Sequence, residues 1–309
     1  MITRRGFMTG TLGVTGTGLA GGGYALAEPF RLLRTHYALP LPSWSQGPSV
    51  RLAVIADLHA NDPWMSLARI RSIVDKTNEL GADAILLLGD YVASHRINRL
   101  SGFIAPEDWA GALARLEAPL GVHAVLGNHD WWADVALQRR RTGFPASYFA
   151  LNAVGIRVLE NGAVRLEKDG KPFWLAGLGD QWAFWPRSET EKEANKLRAG
   201  SVYSGVHDVA STLAAITDDA PAILMAHEPD IFASLPERFA LTVSGHTHGG
   251  QINLLGYTPV VPSAFGSRYV YGHVVEGGRH LVVSAGLGCS GLPIRFGRPP
   301  EIVSIDLYA

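Results

Sequence analysis

The chain has 309 residues, 47% of them hydrophobic, and a formal net charge of −1. That is apolar material for one large domain or two small ones, and the near-zero charge excludes nucleic-acid binding through bulk electrostatics. A single cysteine, Cys289, excludes any disulfide within the chain, so metal ligation falls to His, Asp and Asn.

The chain begins with Arg4-Arg5, a weakly apolar Gly- and Thr-rich stretch, and Ala25-Leu26-Ala27 before Glu28. Residues 1–27 resemble a twin-arginine export signal. A membrane span wants about 20 strongly apolar residues, and glycine and threonine dilute this stretch. A retained anchor is the alternative. The twin-arginine translocation machinery carries folded proteins, so the expected location is the periplasm or the outer face of the cytoplasmic membrane. Residues 28–49 are Pro-rich and read as an extended arm, followed by one domain over residues 50–309.

Arg51 to Ala56 is a short apolar run that reads as a buried strand ending at Asp57-Leu58-His59. Ser66 to Leu80 has apolar residues at helical spacing, with Gly81 as a stop. Ala84 to Leu88 is the next strand, ending at Gly89-Asp90-Tyr91. Pro106 to Glu117 reads as a helix, with proline suited to its first turn. Val122 to Leu126 is a third strand, ending at Gly127-Asn128-His129-Asp130. The series predicts a parallel sheet covered by helices, with these polar endings meeting along one carboxyl edge.

The second half predicts antiparallel hairpins from Ile156–Glu160, Ala163–Glu167 and Phe173–Gly177, with turns at Asn161-Gly162 and Asp169-Gly170. Val209 to Ile216 is a short helix. Ala222 to Ala226 is a strand ending at His227-Glu228-Pro229. Phe239 to Val243 is another, ending at Gly245-His246-Thr247-His248-Gly249-Gly250. Gln251–Leu254, His280–Ser284 and Glu301–Leu307 read as further strands. The expected fold is α/β, two facing sheets with helices outside.

The strand-end residues are Asp57, His59, Asp90, Asn128, His129, His227, His246 and His248. Eleven histidines occur in the chain, and five of them fall in this set. Neutral imidazole is the commonest ligand for borderline metals, and five strand-end histidines flanked by glycine or acid point to a metal site.

In this order the motifs D-x-H, G-D-x, G-N-H-D, a lone H and G-H-T-H resemble the calcineurin-like metallophosphoesterase superfamily. The resemblance runs from Arg51 to the C-terminus. His227-Glu228-Pro229-Asp230, the extended Gly245–Ile252 motif and Gly286–Arg295 are similar to its exported and membrane-linked bacterial branch. It implies a four-layer αββα sandwich of two mixed sheets flanked by helices. It further implies that Asp57, His59 and His248 hold one divalent metal, that Asn128, His227 and His246 hold a second, and that Asp90 bridges them. Two divalent ions are only partly neutralised by Asp57 and Asp90, so the site attracts phosphate. Metals about 3.5–4 Å apart clamp an in-line displacement by metal-activated hydroxide. Mixed imidazole and carboxylate ligation suits Mn, Fe, Zn or Co.

By the same resemblance His129 is catalytic, facing the leaving-group oxygen rather than a metal. In protein serine/threonine phosphatases an Asp three residues after the bridging Asp orients this His. Here Ala93 stands there, which argues against that branch. Asp130 is a candidate orienting group, with service to the turn alone as the alternative. Arg139-Arg140-Arg141 reads as a solvated helix end or a phosphate clamp. Arg295 and Arg298 read as phosphate contacts or surface residues. Trp131-Trp132 and the loop Trp182-Ala183-Phe184-Trp185 read as packing or as the wall of an apolar cleft, with peripheral membrane contact. The expected reaction is hydrolysis of a phosphodiester or pyrophosphate, with a lipid-linked or otherwise bulky apolar group as substrate. The alternatives are a pyrophosphatase for UDP-2,3-diacylglucosamine-like substrates, a cell-envelope hydrolase using the same metals, and a metal-binding scaffold without chemistry.

Overall fold

The computed structural model describes residues 21–93 and 102–309. Arg4 and Arg5, on which the export reading stands, lie outside the described residues. In chain order the strands are β1 Leu33–Pro40, β2 Val50–Ile55, β3 Asn61–Asp62, β4 Ala84–Leu87, β5 Gly102–Phe103, β6 Val122–Ala124 and β7 Arg157–Val158. Then come β8 Gly162–Lys168, β9 Lys171–Gly177, β10 Ala222–Met225, β11 Phe239–Ser244, β12 Gly272–Glu276, β13 Arg279–Val283 and β14 Glu301–Tyr308. The α-helices are α1 Leu67–Asn78, α2 Pro106–Leu113, α3 Asn128–Trp132, α4 Val135–Arg140, α5 Ala146–Ala153, α6 Glu189–Ala199 and α7 Val209–Ala214.

Two mixed sheets result. The first runs β1-β14-β2-β4-β6-β7 and the second β12-β13-β11-β10-β9-β8. In the first, β2, β4, β6 and β7 are parallel and β14 is antiparallel to β2. In the second, β9, β10, β11 and β13 are parallel, with β8 and β12 antiparallel at the edges. Side chains on a strand alternate between faces, and the layers follow from that. Leu52 and Val54 of β2 meet Leu175, Ile223, Met225 and Val243 between the sheets. Ala53 and Ile55 face outward, onto Ile70, Ile73 and Val74 of α1 and Trp109 and Leu113 of α2. On the far side Leu224, Leu281 and Val283 pack on Phe232 and Tyr269, with Leu213 of α7 against them. The molecule is the αββα sandwich expected.

Several elements differ from the sequence reading. Residues 33–40 of the arm are a full strand, in register with β14 from Leu33↔Glu301 to Pro40↔Tyr308. The helix expected to reach Glu117 stops at Leu113. Asn78 explains the stop: its amide donates to the Arg115 carbonyl at 2.8 Å and accepts from the Glu117 N–H at 3.0 Å, taking over backbone groups a further turn would use. Ile156–Glu160 is no hairpin partner of β8. Its core, β7, pairs parallel with β6 and closes the first sheet behind α5. Asn161, left-handed at φ 53°, then hands the chain to the second sheet, its side chain taking the Gly179 and Asp208 N–H groups at 2.8 Å. Gln251–Leu254 is no strand either. It makes single bridges, Ile252 to Phe296 and Leu254 to Tyr257.

Candidate metal centre

Both sheets bring their carboxyl ends to one edge. β2 leads to Asp57 and His59, β4 to Asp90, β6 to Asn128 and His129, β10 to His227, and β11 to His246 and His248. The backbone ties these endings across the two sheets. The His246 N–H donates to both Asp57 carboxylate oxygens at 2.9 and 3.1 Å. His227 Nδ1 donates to the Leu88 carbonyl at 2.6 Å, which turns Nε2 toward Asp90 and Asn128.

Two clusters of candidate ligands form, sharing one residue. Asp57, His59, Asp90 and His248 bring ligand atoms within 4.8 Å of one another, as do Asp90, His227 and His246. The Asp90 Oδ2 lies 3.6 Å from His59 Nε2 and 3.4 Å from His227 Nε2, between the clusters. Asn128 Oδ1 joins the second cluster, 3.2 Å from His227 Nε2 and 2.9 Å from His246 Nδ1. In the first, His59 Nε2 faces His248 Nε2 at 3.0 Å, while the other ring nitrogen of His59 donates to the Val92 carbonyl at 3.2 Å. All eight residues singled out in the sequence meet here and are buried.

These donors fit a pair of divalent cations. Lone pairs of imidazole and amide oxygen converge on one another, which is unfavourable unless a proton or cation stands between them. The His246 Nδ1 and the Asn128 Oδ1 stand 2.9 Å apart in the buried second cluster. Charge tells the same story. Burial pushes Asp57 up to about 7, with Asp90 adding to it and His227 opposing. Burial also raises Asp90, but His227, His129 and His59 outweigh it and hold this carboxyl well below its usual range. Burial lowers His227, and the Asp90 carboxylate more than offsets that, so His227 sits well above the ordinary imidazole range. Burial and His227 bring His246 down to about 3, and burial and His59 hold His248 well below its usual value, so both rings are neutral and ready to ligate.

Backbone strain is concentrated on the same residues. Asp57, His59, Asp90, His246 and His248 have φ of 54, 47, 56, 68 and 53°, all left-handed. Such conformations cost about 1–3 kcal/mol each and persist where the surroundings over-determine them. No sequence pattern announced this. The flanking glycines accommodate it, because the ligands lie against bare backbone. A Cβ on Gly127 would collide with Asp90 and stand 2.6 Å from His227 Cε1, and one on Gly286 would stand 2.6 Å from Asp57 Oδ2.

His129 stands beside the clusters rather than in either. Its ring meets His59 edge-on at 4.7 Å and Trp132 at 5.1 Å. Asp130 does serve the turn. Its Oδ2 accepts from the N–H groups of Asp90 and Gly127 at 3.0 Å, and its Oδ1 from the Tyr91 N–H at 3.1 Å and the Ser147 hydroxyl at 2.9 Å. One buried carboxylate thus staples the Asp90 loop to the Asn128 loop.

Neither tail arginine is a plain surface residue. Arg295 is fully buried and donates to the carbonyls of Gly288, Ala285 and Arg298, with Nη2 3.4 Å from His248 Nδ1. Arg298 lies 4.0 Å over the Tyr271 ring and donates to the Gly249 carbonyl at 3.1 Å. Arg139 and Arg140 end α4, and Arg141 caps it and pairs with Glu191, so the basic run is a helix end. The aromatics divide. Trp131 and Phe184 pack together in the core. Trp132, Trp182, Trp185 and Tyr203 form a cluster with ring centroids 4.6–5.2 Å apart. It reaches His129 through Trp132 and His246 through Trp182, whose ring is 4.6 Å from that imidazole.

Two buried ligand sets joined by one shared carboxylate define a two-metal hydrolytic centre. The calcineurin-like phosphoesterase family matches residues 50–250, and the chain belongs to it; it is a metal-dependent phosphoester hydrolase. The chain is 28% identical to the metallophosphoesterase YkuE of Bacillus subtilis (strain 168), over 99% of this chain and 98% of that one. It is 28% identical to the phosphodiesterase YaeI of Escherichia coli (strain K12), over 99% of this chain and 100% of that protein. A transmembrane protein with metallophosphoesterase domain from Danio rerio is 29% identical over 84% of this chain, which spans 53% of that relative.

Proposed function

We propose that the protein is an exported phosphodiesterase that uses two divalent cations, Mn, Fe, Zn or Co, and acts on a diester carrying a bulky apolar group. The observation that carries the chemistry is the Asp90 Oδ2 lying between His59 and His227. Asp57, His59 and His248 would hold one cation, Asn128, His227 and His246 the other, and Asp90 both. When bound, the pair supplies Lewis acidity to a phosphoryl oxygen and lowers the pKa of a water. His129, outside both sets, delivers a proton to the leaving oxygen. Trp132 and Trp182 wall the space beside it and exclude water.

Charge and lining support a diester over a monoester. A monoester brings a second negative charge that needs a cationic partner. Arg69 and Arg295, which border the centre, spend their donors on backbone carbonyls. Apolar groups flank the site on both sides, with the Trp132–Trp182–Tyr203 cluster at His129 and a pocket lined by Trp64, Met65, Leu287 and Pro293 at His59. The name of YaeI supports the same choice of bond. A pyrophosphate with an apolar substituent, as in a UDP-diacylglucosamine-like substrate, meets the same requirements. Such a substrate faces the cytoplasm, however, and the twin-arginine pattern favours export.

The test is hydrolysis by metal-loaded protein of bis(p-nitrophenyl) phosphate, p-nitrophenyl phosphate, phospholipids and nucleotide sugars. The proposal expects the diesters to be cleaved well ahead of the monoester, and preference for the monoester contradicts it. Export is read separately, by replacing Arg4 and Arg5 with Lys and following the protein to the periplasm.

A further inference from the structure

The chain that leaves ligand His248 projects an apolar turn. Leu254 and Tyr257 close it by reciprocal backbone hydrogen bonds of 2.8 and 3.1 Å. Leu255, at its tip, is fully exposed, and Tyr257 and Val260 are 67% and 72% exposed. The turn is firmly based. The Asn253 N–H donates to the Phe296 carbonyl at 2.6 Å, and the Asp230 carboxylate takes the Ser263 hydroxyl and the Ala264 N–H at 2.6 and 2.7 Å. A rigid turn that displays large apolar side chains to water marks an interaction surface.

Two further observations say what covers it. The first is charge. Between Glu237 and Glu301 the only acidic residue is Glu276, and it pairs with Arg268. The turn and the Gly-rich tail beside it therefore present no unpaired carboxylate, while Arg298 lies close by at Gly249. The second is the path of the chain. Residues 21–27 are helical, and they dock on this same region. The Ala25 carbonyl accepts from the Arg295 N–H at 3.0 Å, and the Tyr24 ring meets Phe296 at 5.3 Å. The twenty residues that precede Gly21 thus join the chain next to the turn, and Leu26, Phe30 and Leu292 are each more than half exposed around the junction.

We propose that this face docks on a bilayer surface bearing anionic headgroups, inserting Leu255, Tyr257 and Val260 and turning the mouth of the metal centre toward the lipid. An apolar wedge on an acid-poor stretch, with Arg298 beside it, suits an anionic interface. The proposal names the partner of the site described above and rests on the diesterase reading only for what is cleaved there. Docking itself does not depend on the chemistry.

The experiment uses the full chain with Leu255→Cys and Cys289→Ser, labelled at position 255 with an environment-sensitive fluorophore. Phosphatidylcholine/phosphatidylglycerol vesicles are added, some carrying brominated acyl chains. The proposal expects a blue shift, quenching by the bromines, and a partition weakened more than about tenfold by Tyr257→Glu with Val260→Glu. Three results overturn it: a chain that stays in solution, a chain that co-sediments while the probe stays in water, or a blue shift that grows with protein concentration without vesicles, which means a second copy covers the turn. Hydrolysis of bis(p-nitrophenyl) phosphate by the same labelled chain reads the metal chemistry separately.

Discussion

The backbone N–H of His129 donates to Oδ1 of Asp90 at 2.8 Å. That bond fixes the carboxylate so that Oδ2 alone faces His59 and His227, and it places the His129 ring beside the cations' seats without making it a ligand. His129→Ala keeps the backbone donor. Turnover should fall about 10²- to 10⁴-fold, the usual range for a lost general acid, while metal content stays that of the parent. Loss of metal in step with activity would make His129 a ligand.

Asp130 is a positioning residue. It gathers four donors from the Asp90 loop, the Gly127 turn and Ser147. Asp130→Ala leaves buried N–H groups unpaired, at about 1–3 kcal/mol each. A lower Tm is expected, together with a loss of metal affinity of about 10- to 100-fold, as for other outer partners of metal ligands. Asp130→Ser, which restores part of the bonding, should recover part of both. Calorimetry with metal titration checks this, and unchanged metal affinity would show that the staple does not support the ligands.

Trp182 bridges the aromatic cluster and His246. Trp182→Ala should raise KM for diesters with a large apolar group by about 2- to 10-fold, since aromatic ring contacts are commonly worth about 0.5–1.5 kcal/mol. Small soluble diesters should change little. Equal effects on both, or none on either, would remove the cluster from substrate recognition.

Glu160 offers a test of pH dependence away from the ligands. Both its carboxylate oxygens are buried without a hydrogen-bond partner among the described residues. Burial, with the Glu228 charge adding to it, pushes this carboxyl up to about 8. An unfolded chain ionises it near 4.3. Between these values the folded state binds more protons than the unfolded one, so its stability falls as pH rises through the window. Glu160→Gln removes the dependence. In chelated protein the Tm advantage of the Gln variant should be small at pH 5 and grow toward pH 8, and a gap that is constant or shrinks with pH contradicts the assignment.

Much of this site was legible because short buried strands ended in polar residues, and a buried strand has few ways to end. Asp57, Asp90, Asn128, His227 and His246 follow their strands within four residues, so each position was fixed by local pattern. The left-handed backbone of Asp57, His59, Asp90, His246 and His248 was not legible, because it depends on tertiary contacts such as those of Asp90 with Gly127 and of Asp57 with Gly245 and Gly286. Ile156–Glu160 was misplaced for a similar reason. A short apolar run carries no mark of which sheet it joins, and only the packing of α5 against its surroundings puts β7 beside β6. The staple at Asp130 depends on a partner 40 residues away and Arg295 is buried against His248, 47 residues away, beyond the reach of spacing arguments. The part of the arm that became β1 was read as extended, but its partner, β14, lies at the other end of the chain.

The central claim is that Asp90 joins two cation sites into one centre. Metal analysis of purified protein saturated in turn with manganese, iron, cobalt and zinc, beside Asp90→Asn treated the same way, tests it most directly. The account predicts two ions per chain in the parent with at least one of these metals, and loss of both tight sites in the variant. One ion or fewer in the saturated parent, or two in the variant at unchanged affinity, would contradict it.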